Sequence, residues 1–365
     1  MKQLLFLLLL FLTPSLVSAQ DEKSTEFLEN AKWGELEEMK KLLADGADIN
    51  AKNSNGDHAG VYAMYHFEDD EGEMIRFLLE EGLNPTILTD ENANLMHLAV
   101  ENEGSEILAE LNAKGVDVNA QNEDGDTPLL LAASNREYEA VKLLVSLGAN
   151  PNLTNDGTSI IKYYDLEDED LWNDLMTFPF SDEILHTLMI EAVYTLESPE
   201  KVRQLLEKDA NWDEATDEDG AKLLHLAAEL DDSEILQLLL ENGVNPNQVN
   251  DDGENALWSA DAKENATLLI NAGTDVNQVI DGESLLSAHI YYGMSDFVYL
   301  FIASGADVHF QVDGNSLVKY CKELLKMEER PGPKYANPED QQAALERWHA
   351  DIEKSMDYLK QNGVK

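Results

Sequence analysis

Apolar residues recur along most of this chain at intervals of three and four, in short bursts separated by polar loops. Ser233-Glu234-Ile235-Leu236-Gln237-Leu238-Leu239-Leu240 has this form. The spacing predicts an amphipathic helix with one apolar stripe, opened by a serine cap. A second kind of burst is shorter and apolar nearly all round, as in Leu223-Leu224-His225-Leu226-Ala227-Ala228. Its paired alanines let a neighbouring helix approach closely. Longer bursts end at a glycine, which supplies left-handed backbone at no steric cost, except one that ends at Asp209. Each shorter burst follows a turn signal: Asp124-Gly125, Asp219-Gly220, Asp252-Gly253, Asp281-Gly282 and Asp313-Gly314. Such dipeptides predict tight hairpins.

The helix-ending glycines open a tag that returns along the chain. It reads Gly46-Ala47-Asp48-Ile49-Asn50, then Gly82-Leu83-Asn84-Pro85, Gly115-Val116-Asp117-Val118-Asn119 and Gly148-Ala149-Asn150-Pro151-Asn152. It resumes as Asp209-Ala210-Asn211, Gly243-Val244-Asn245-Pro246-Asn247, Gly273-Thr274-Asp275-Val276-Asn277 and Gly305-Ala306-Asp307-Val308-His309. The spacings are 36, 33, 33, 61, 34, 30 and 32 residues, a ladder that two unrelated domains would not produce. The unit is turn, short helix, longer helix, loop.

Residues 25 to 325 resemble the ankyrin-repeat family. The best match is Asp124-Gly125-Asp126-Thr127-Pro128-Leu129-Leu130-Leu131-Ala132-Ala133, with Leu95-Met96-His97-Leu98-Ala99 and Leu223-Leu224-His225-Leu226-Ala227 keeping the Leu-His-x-Ala core. Trp258 replaces that histidine in one copy, and Asn92 replaces a turn glycine in another. The resemblance implies an all-α solenoid of nine or ten helix-turn-helix units with short β-hairpin tips. Residues 20–164 and 184–325 hold the repeats. Between Gly148 and Asp209 the register fails: a copy opened by Asn155-Asp156-Gly157-Thr158 runs into an acidic and aromatic segment, 165–183, with no recognisable tag. That segment reads as a degenerate repeat where two stacks meet. After Leu325, a breaker at Arg330-Pro331-Gly332-Pro333 leads to a predicted helix from Asn337-Pro338 to about Gln361. Leu345, Trp348, Ile352, Met356 and Leu359 share one side of it, so within 326–365 it should cap the open end of the array.

Charge changes the picture more than composition does. The 365 residues carry 73 acidic and 25 basic side chains, a formal charge of −48. Such a surface repels phosphate backbones and anionic lipid, which excludes nucleic acid and suits a basic protein partner. The lone cysteine, Cys321, excludes internal disulfides and CxxC redox chemistry; its register matches the buried Ala227, so it reads as core. At the N-terminus, Lys2, the apolar run Leu4 to Leu12 and Val17-Ser18-Ala19 form a secretory signal over residues 1–19. The run is too short to span a bilayer. A periplasmic or secreted monomer, not inserted in a membrane after cleavage, is expected.

No catalytic constellation can be written down. His97 and His225 occupy the repeat's own histidine position, where the resemblance implies a backbone hydrogen bond between neighbouring repeats. No His-x-x-x-His or His-Glu-x-x-His spacing occurs. The Asp-rich turns fail as EF-hand loops, because counting Gly220 as position six puts Ala215 and Leu226 where Asp and Glu are needed. No cofactor or metal is therefore assigned. The reading left open beside protein binding is an enzyme or cation-binding protein whose site hides in 165–183 or the C-terminal helix.

The resemblance implies a concave binding face built from hairpin tips and the exposed side of each first helix. Counted from the turn glycine, these positions are two and one before, one after, and nine and ten after. They give Asp57, Tyr65 and His66; Asp124 and Asp126; Glu218, Asp219 and Glu229; Asp251, Asp252 and Glu254; and Asp281, Glu283, Tyr291 and Tyr292. A face of carboxylates with tyrosines near both ends suits capture of a basic protein. By family analogy the roles open to it are immunity to a toxin or assistance to an envelope enzyme. Plain solubility or a saline habitat would also account for the acidity.

Overall fold

A computed structural model describes residues 22–331 and 338–365; the leader read at 1–19 lies outside them. The chain divides into two compact units, one ending at Phe180 and the other beginning at Ser181. In the first unit, a helix over 22–32 is followed by Leu36–Ala44. Then come the pairs Ala59–Tyr65 with Glu73–Glu80, Leu95–Glu101 with Leu108–Ala113, and Pro128–Ser134 with Tyr138–Ser146. The last pair is a 3-10 turn, Ile160–Tyr163, with Glu169–Leu175. In the second unit, Asp182–Ile190 continues into a π-helical turn, Glu191–Thr195, and pairs with Pro199–Leu206. Leu223–Glu229 pairs with Glu234–Glu241, Leu285–Tyr292 with Ser295–Ala303, and Leu317–Leu324 with the terminal helix Pro338–Gln361. Lys263–Asn271 stands without a first helix before it.

Burial follows the two kinds of burst. Leu95–Glu101 buries Leu95, Met96, His97, Leu98, Ala99 and Val100, since a first helix is covered by neighbours on both sides. Tyr138–Ser146 buries only the stripe Ala140, Val141 and Leu144. Caps define where helices start: Thr127 Oγ1 accepts from Leu130 N at 3.2 Å, and Asn94 Oδ1 from Met96 N at 2.9 Å. Ser233, expected as a cap, makes no side-chain cap bond; Asp232 Oδ1 accepts from Glu234 N at 2.9 Å instead.

The tag is an inter-repeat hydrogen-bond ladder. Asn119 Oδ1 accepts from Asn150 N at 2.7 Å while its Nδ2 donates to Gly148 O at 3.3 Å. Asn247 does the same for Asp275 N and Gly273 O, and Asn277 for Asp307 N and Gly305 O. Where the tag lacks asparagine, Asp213 Oδ1 still accepts from Asn245 N at 2.9 Å.

Hairpin tips depart from the uniform two-residue turn expected. Asp156-Gly157, Asp281-Gly282 and Asp313-Gly314 have positive φ at both residues. They close the pairs Asn155↔Thr158, Ile280↔Glu283 and Val312↔Asn315, the geometry of a type I′ turn. The other tips are wider. There the residue three before the glycine turns its side chain into the loop: Asn53 Oδ1 accepts from Asp57 N at 3.0 Å, Asn122 Oδ1 from Asp126 N at 2.8 Å, Asp217 Oδ1 from Ala221 N at 2.8 Å and Asn250 Oδ1 from Glu254 N at 2.9 Å. Thr89 Oγ1 plays the same part for Ala93 N at 3.1 Å, with Asn92 at φ 56° doing the glycine's work.

The degenerate repeat at 165–183 gains detail, and one expectation about the terminal helix is corrected. The segment 165–183 contains a helix, Glu169–Leu175, whose start is held by Asp168 Oδ1 accepting from Asp170 N and Leu171 N at 2.9 and 3.0 Å. Its acidic run is thus a helix entrance, where carboxylates favour the positive end of the dipole, and Trp172 anchors it in the core. Its tag substitute is Pro179, whose carbonyl accepts from Asn152 Nδ2 at 3.1 Å. In the terminal helix, Ala344, Trp348, Ile352, Ser355 and Leu359 are buried, while Leu345 and Met356 are only half-buried. Small Ala344 and Ser355 take the inward positions because this helix lies against three others, Leu285–Tyr292, Ser295–Ala303 and Leu317–Leu324.

Candidate functional site

His97 and His225 at the repeat position, and His58 at a helix start, are buried and structural. His97 Nε2 lies 3.1 Å from Asp126 O and His225 Nε2 2.8 Å from Glu254 O, each reaching the next hairpin. His58 caps its own helix, its Nδ1 accepting from Gly60 N at 3.1 Å. Burial holds all three imidazoles below their ordinary pKa, so they are neutral bridges. Cys321 is fully buried and its thiol is pushed up to about 12 by that burial, which keeps it protonated in the core. Among the described residues, no three His, Cys, Asp or Glu side chains converge on a point that could hold a metal ion.

The predicted face residues separate by register. Those one after the turn glycine are engaged internally or half-buried, except Glu283, which is exposed. Asp57 Oδ2 accepts from Asn53 Nδ2 at 2.9 Å; Asp126 Oδ1 accepts from Asn155 Nδ2 at 2.8 Å; and Glu254 is half-buried with its carbonyl on His225. The residues before the glycine stand free at the tips: Asp124, Glu218, Asp219, Asp252 and Asp281 are exposed. Asp251 is exposed but lies over the preceding turn; a Cβ on Gly220 would meet its side chain at 2.3 Å. His66 is engaged within the fold. Its Nε2 is 3.1 Å from Lys32 O and its ring covers Gly34, tying two repeats together.

Two groupings emerge, one in each unit. In the first, Tyr65 is 58% exposed, and its phenol is held above its usual value by partial burial and then by the carboxylates of Asp57, Glu101 and Glu91. Glu101 is exposed overall, yet partial desolvation and the charge of Glu91 raise its pKa. Glu101 also lines a recess of about 530 Å³ with Glu103, Ser105, Asn135 and Glu137. One repeat earlier Trp33 is 70% exposed, with Lys32 Nζ 5.9 Å from its ring centre. In the second unit, Tyr291 and Tyr292 meet edge to face at 5.2 Å, and Tyr292 is exposed. Tyr320 joins them: burial and then Glu283 push its phenol up to about 12, with Tyr291 a smaller cause. Glu229 is raised by desolvation and by Asp261 and Asp217, against the hydrogen bond from Ser259.

Trp33, Glu91, Glu101 and Tyr320 were not among the residues read from sequence. Glu91 and Glu101 sit one before and nine after Asn92, so treating Asn92 as a turn glycine would have found them. Trp33 precedes the first recognisable turn, and Tyr320 lies six after its glycine, a position the register scheme does not count.

A family model for ankyrin repeats matches three stretches, the overlapping residues 27–122 and 61–155 and the separate 188–280, together more than half the chain. The chain belongs to the ankyrin-repeat family. It is 29% identical over 140 residues to the human transient receptor potential cation channel subfamily A member 1, covering 37% of this chain and 12% of that protein. It is 31% identical over 186 residues to the mitochondrial disaggregase of Bos taurus, 51% of this chain and 24% of that one. It is 31% identical over 134 residues to an ankyrin repeat protein of Rickettsia felis, 37% of this chain and 46% of that one. The chain thus spans less than half the length of each of these relatives. Ankyrin repeats serve protein–protein interaction, and among the described residues no helix is long and apolar enough to cross a membrane.

Proposed function

We propose that this is an exported, non-catalytic protein-binding module that captures a basic protein on its hairpin tips and first-helix ends. The observation that carries the reading is the pairing, in each unit, of exposed aromatic rings with carboxylates that form no ion pair among the described residues: Tyr65 with Glu91 and Glu101, and Tyr292 with Glu283 through Tyr291 and Tyr320. Exposed tyrosine offers contact area at little entropic cost, and the surrounding field speeds encounter with a positive partner. Export follows from the signal read at residues 1–19 and places the partner in the periplasm or outside the cell, where an immunity or accessory role fits. The chain acts as a monomer and needs no cofactor.

The test reverses Asp219, Asp252 and Glu283 to lysine together and captures partners from a periplasmic extract. These side chains are exposed, so circular dichroism should be unchanged while the captured protein is lost. Retained capture would sink the reading.

A further inference from the structure

We propose that the Tyr65 surface of the first unit takes arginine side chains of the partner, Tyr65 serving as the stacking platform and Glu91 and Glu101 as the carboxylates that pair with the guanidinium. The proposal rests on the protein-binding reading above and names the chemistry it selects. Two independent observations meet here. The first is an aromatic ring left more than half exposed at the end of Ala59–Tyr65, in a chain that buries most of its large apolar side chains. The second is positional: Tyr65 and Glu101 end the first helices of successive repeats, each nine after its turn residue, and Glu91 stands one before Asn92 on the same tip, so that the charges acting on the Tyr65 phenol, Asp57, Glu101 and Glu91, are all acidic. Like charges held side by side are relieved by a cation placed between them.

The neighbouring repeat shows what this edge does with a cation. Lys32, from the chain itself, sets its ammonium over the Trp33 ring; among the described residues no lysine or arginine does so at Tyr65. Guanidinium is favoured over ammonium because it is planar, stacks on an aromatic face and pairs two-pronged with a carboxylate. Glu101 also forms part of the wall of the 530 Å³ recess, whose other carboxylates are Glu103 and Glu137. A second cationic side chain of the same extended segment has room there. The expected occupant is therefore an extended, arginine-bearing stretch of a protein.

Two peptides of equal length and charge, one alternating arginine with glycine and one lysine with glycine, are titrated calorimetrically into the full chain at elevated salt, where long-range attraction is screened. The arginine peptide should bind about two- to fivefold more tightly. Tyr65→Ala should bring that ratio to about one, Tyr65→Phe should preserve it, and Glu101→Gln should weaken the arginine peptide more than the lysine one. Tyr65 is exposed, so folding should survive, and unchanged circular dichroism checks this. A ratio near one in the parent, or a ratio untouched by Tyr65→Ala, overturns the proposal. Either outcome leaves the capture experiment with the Asp219, Asp252 and Glu283 reversals to decide the parent reading, because those variants keep Tyr65, Glu91 and Glu101.

Discussion

Asn277 offers the cleanest measure of what the tag contributes. Its Oδ1 accepts from Asp307 N at 2.7 Å and its Nδ2 donates to Gly305 O at 3.2 Å, so one exposed side chain joins two successive repeats twice. A net hydrogen bond is worth about 0.5–1.5 kcal/mol. Both bonds lie at the surface, where water replaces lost partners, so Asn277→Ala should cost about 1–2 kcal/mol, near the lower half of the summed range. Asn277→Asp keeps the acceptor and loses the donor, the arrangement already present at Asp213. It should cost less than the alanine variant, about 0.5–1 kcal/mol. The chain has two compact units, so a single unfolding midpoint mixes them. Amide hydrogen exchange at Asp307 reads the bond directly, at salt high enough to screen the added charge. Protection should fall in the order parent, aspartate, alanine. The converse exists at Thr86, whose hydroxyl turns back to its own Asn84 Oδ1 at 2.8 Å instead of reaching the next repeat. Equal exchange in the alanine and aspartate variants, or no change in either, would refute the ladder argument.

Three other outcomes follow from the same geometry. Gly220→Ala should destabilise more than Gly243→Ala by about 1 kcal/mol or more in urea unfolding: both carry positive φ, +83° and +86°, but only at Gly220 would the new Cβ collide with a neighbour, Asp251, down to its Cβ at 2.7 Å. The buried histidines set an acid limb. Their folded pKa values lie below the ordinary 6.5, so as pH falls through about 6.5 the unfolded chain takes up protons first, and stability present above that pH is lost toward the folded values. A His225→Asn variant should show a shallower fall in urea midpoint from neutral to mildly acidic pH, and an identical slope would count against this. Trp348→Ala should cost about 3–5 kcal/mol in the second unit, since the indole is 4% exposed, donates to Tyr291 O at 2.8 Å and fills the space over Gly293. Limited proteolysis should then cut the terminal helix first.

The repeat architecture was legible because its signals are local. A glycine after an apolar stripe, or an asparagine at a fixed offset, acts through its own backbone and needs no knowledge of distant packing. Turn width was not read from the sequence, whose turn signals predict tight hairpins throughout: Asn53, Asn122, Asp217 or Asn250 three before the glycine brings an acceptor into the loop, Val279 or Gln311 there leaves the strand to close directly, and threonine occurs in both settings, at Thr89 and Thr154. What local pattern could not supply was the loss of a first helix before Lys263–Asn271. Asn255, Trp258 and Gln278 build a side-chain network there, with Gln278 Oε1 accepting from Asn255 N at 2.8 Å and Trp258 Nε1 at 2.9 Å. Gln278 reaches this network from twenty or more positions along the chain, and the shortened spacing of 30 and Trp258 in place of the histidine were its traces. The candidate site was half legible for a related reason. Register gives the position of a side chain along a repeat but not its commitments, so Asp126 and His66 look like Asp124 and Tyr65 until their hydrogen bonds are seen.

That division bears on the acidity itself. A carboxylate engaged by a neighbouring repeat, such as Asp126 on Asn155 or Asp213 on Asn245, does structural work that a neutral acceptor could also do, as Asn247 and Asn277 demonstrate at the places equivalent to Asp213. Those charges therefore carry no information about a partner. Carboxylates that act on one another and form no ion pair among the described residues, such as Glu91 with Glu101 or Glu229 with Asp261 and Asp217, work against the fold, because their mutual repulsion exists only once the chain is compact. Neutralising Glu101 should accordingly stabilise the unit while weakening partner capture, and neutralising Asp126 should do neither. Stability and binding measured on this pair of variants separate charge held for recognition from charge held for solubility: were solubility its only purpose, Glu101→Gln would stabilise the chain and leave capture intact.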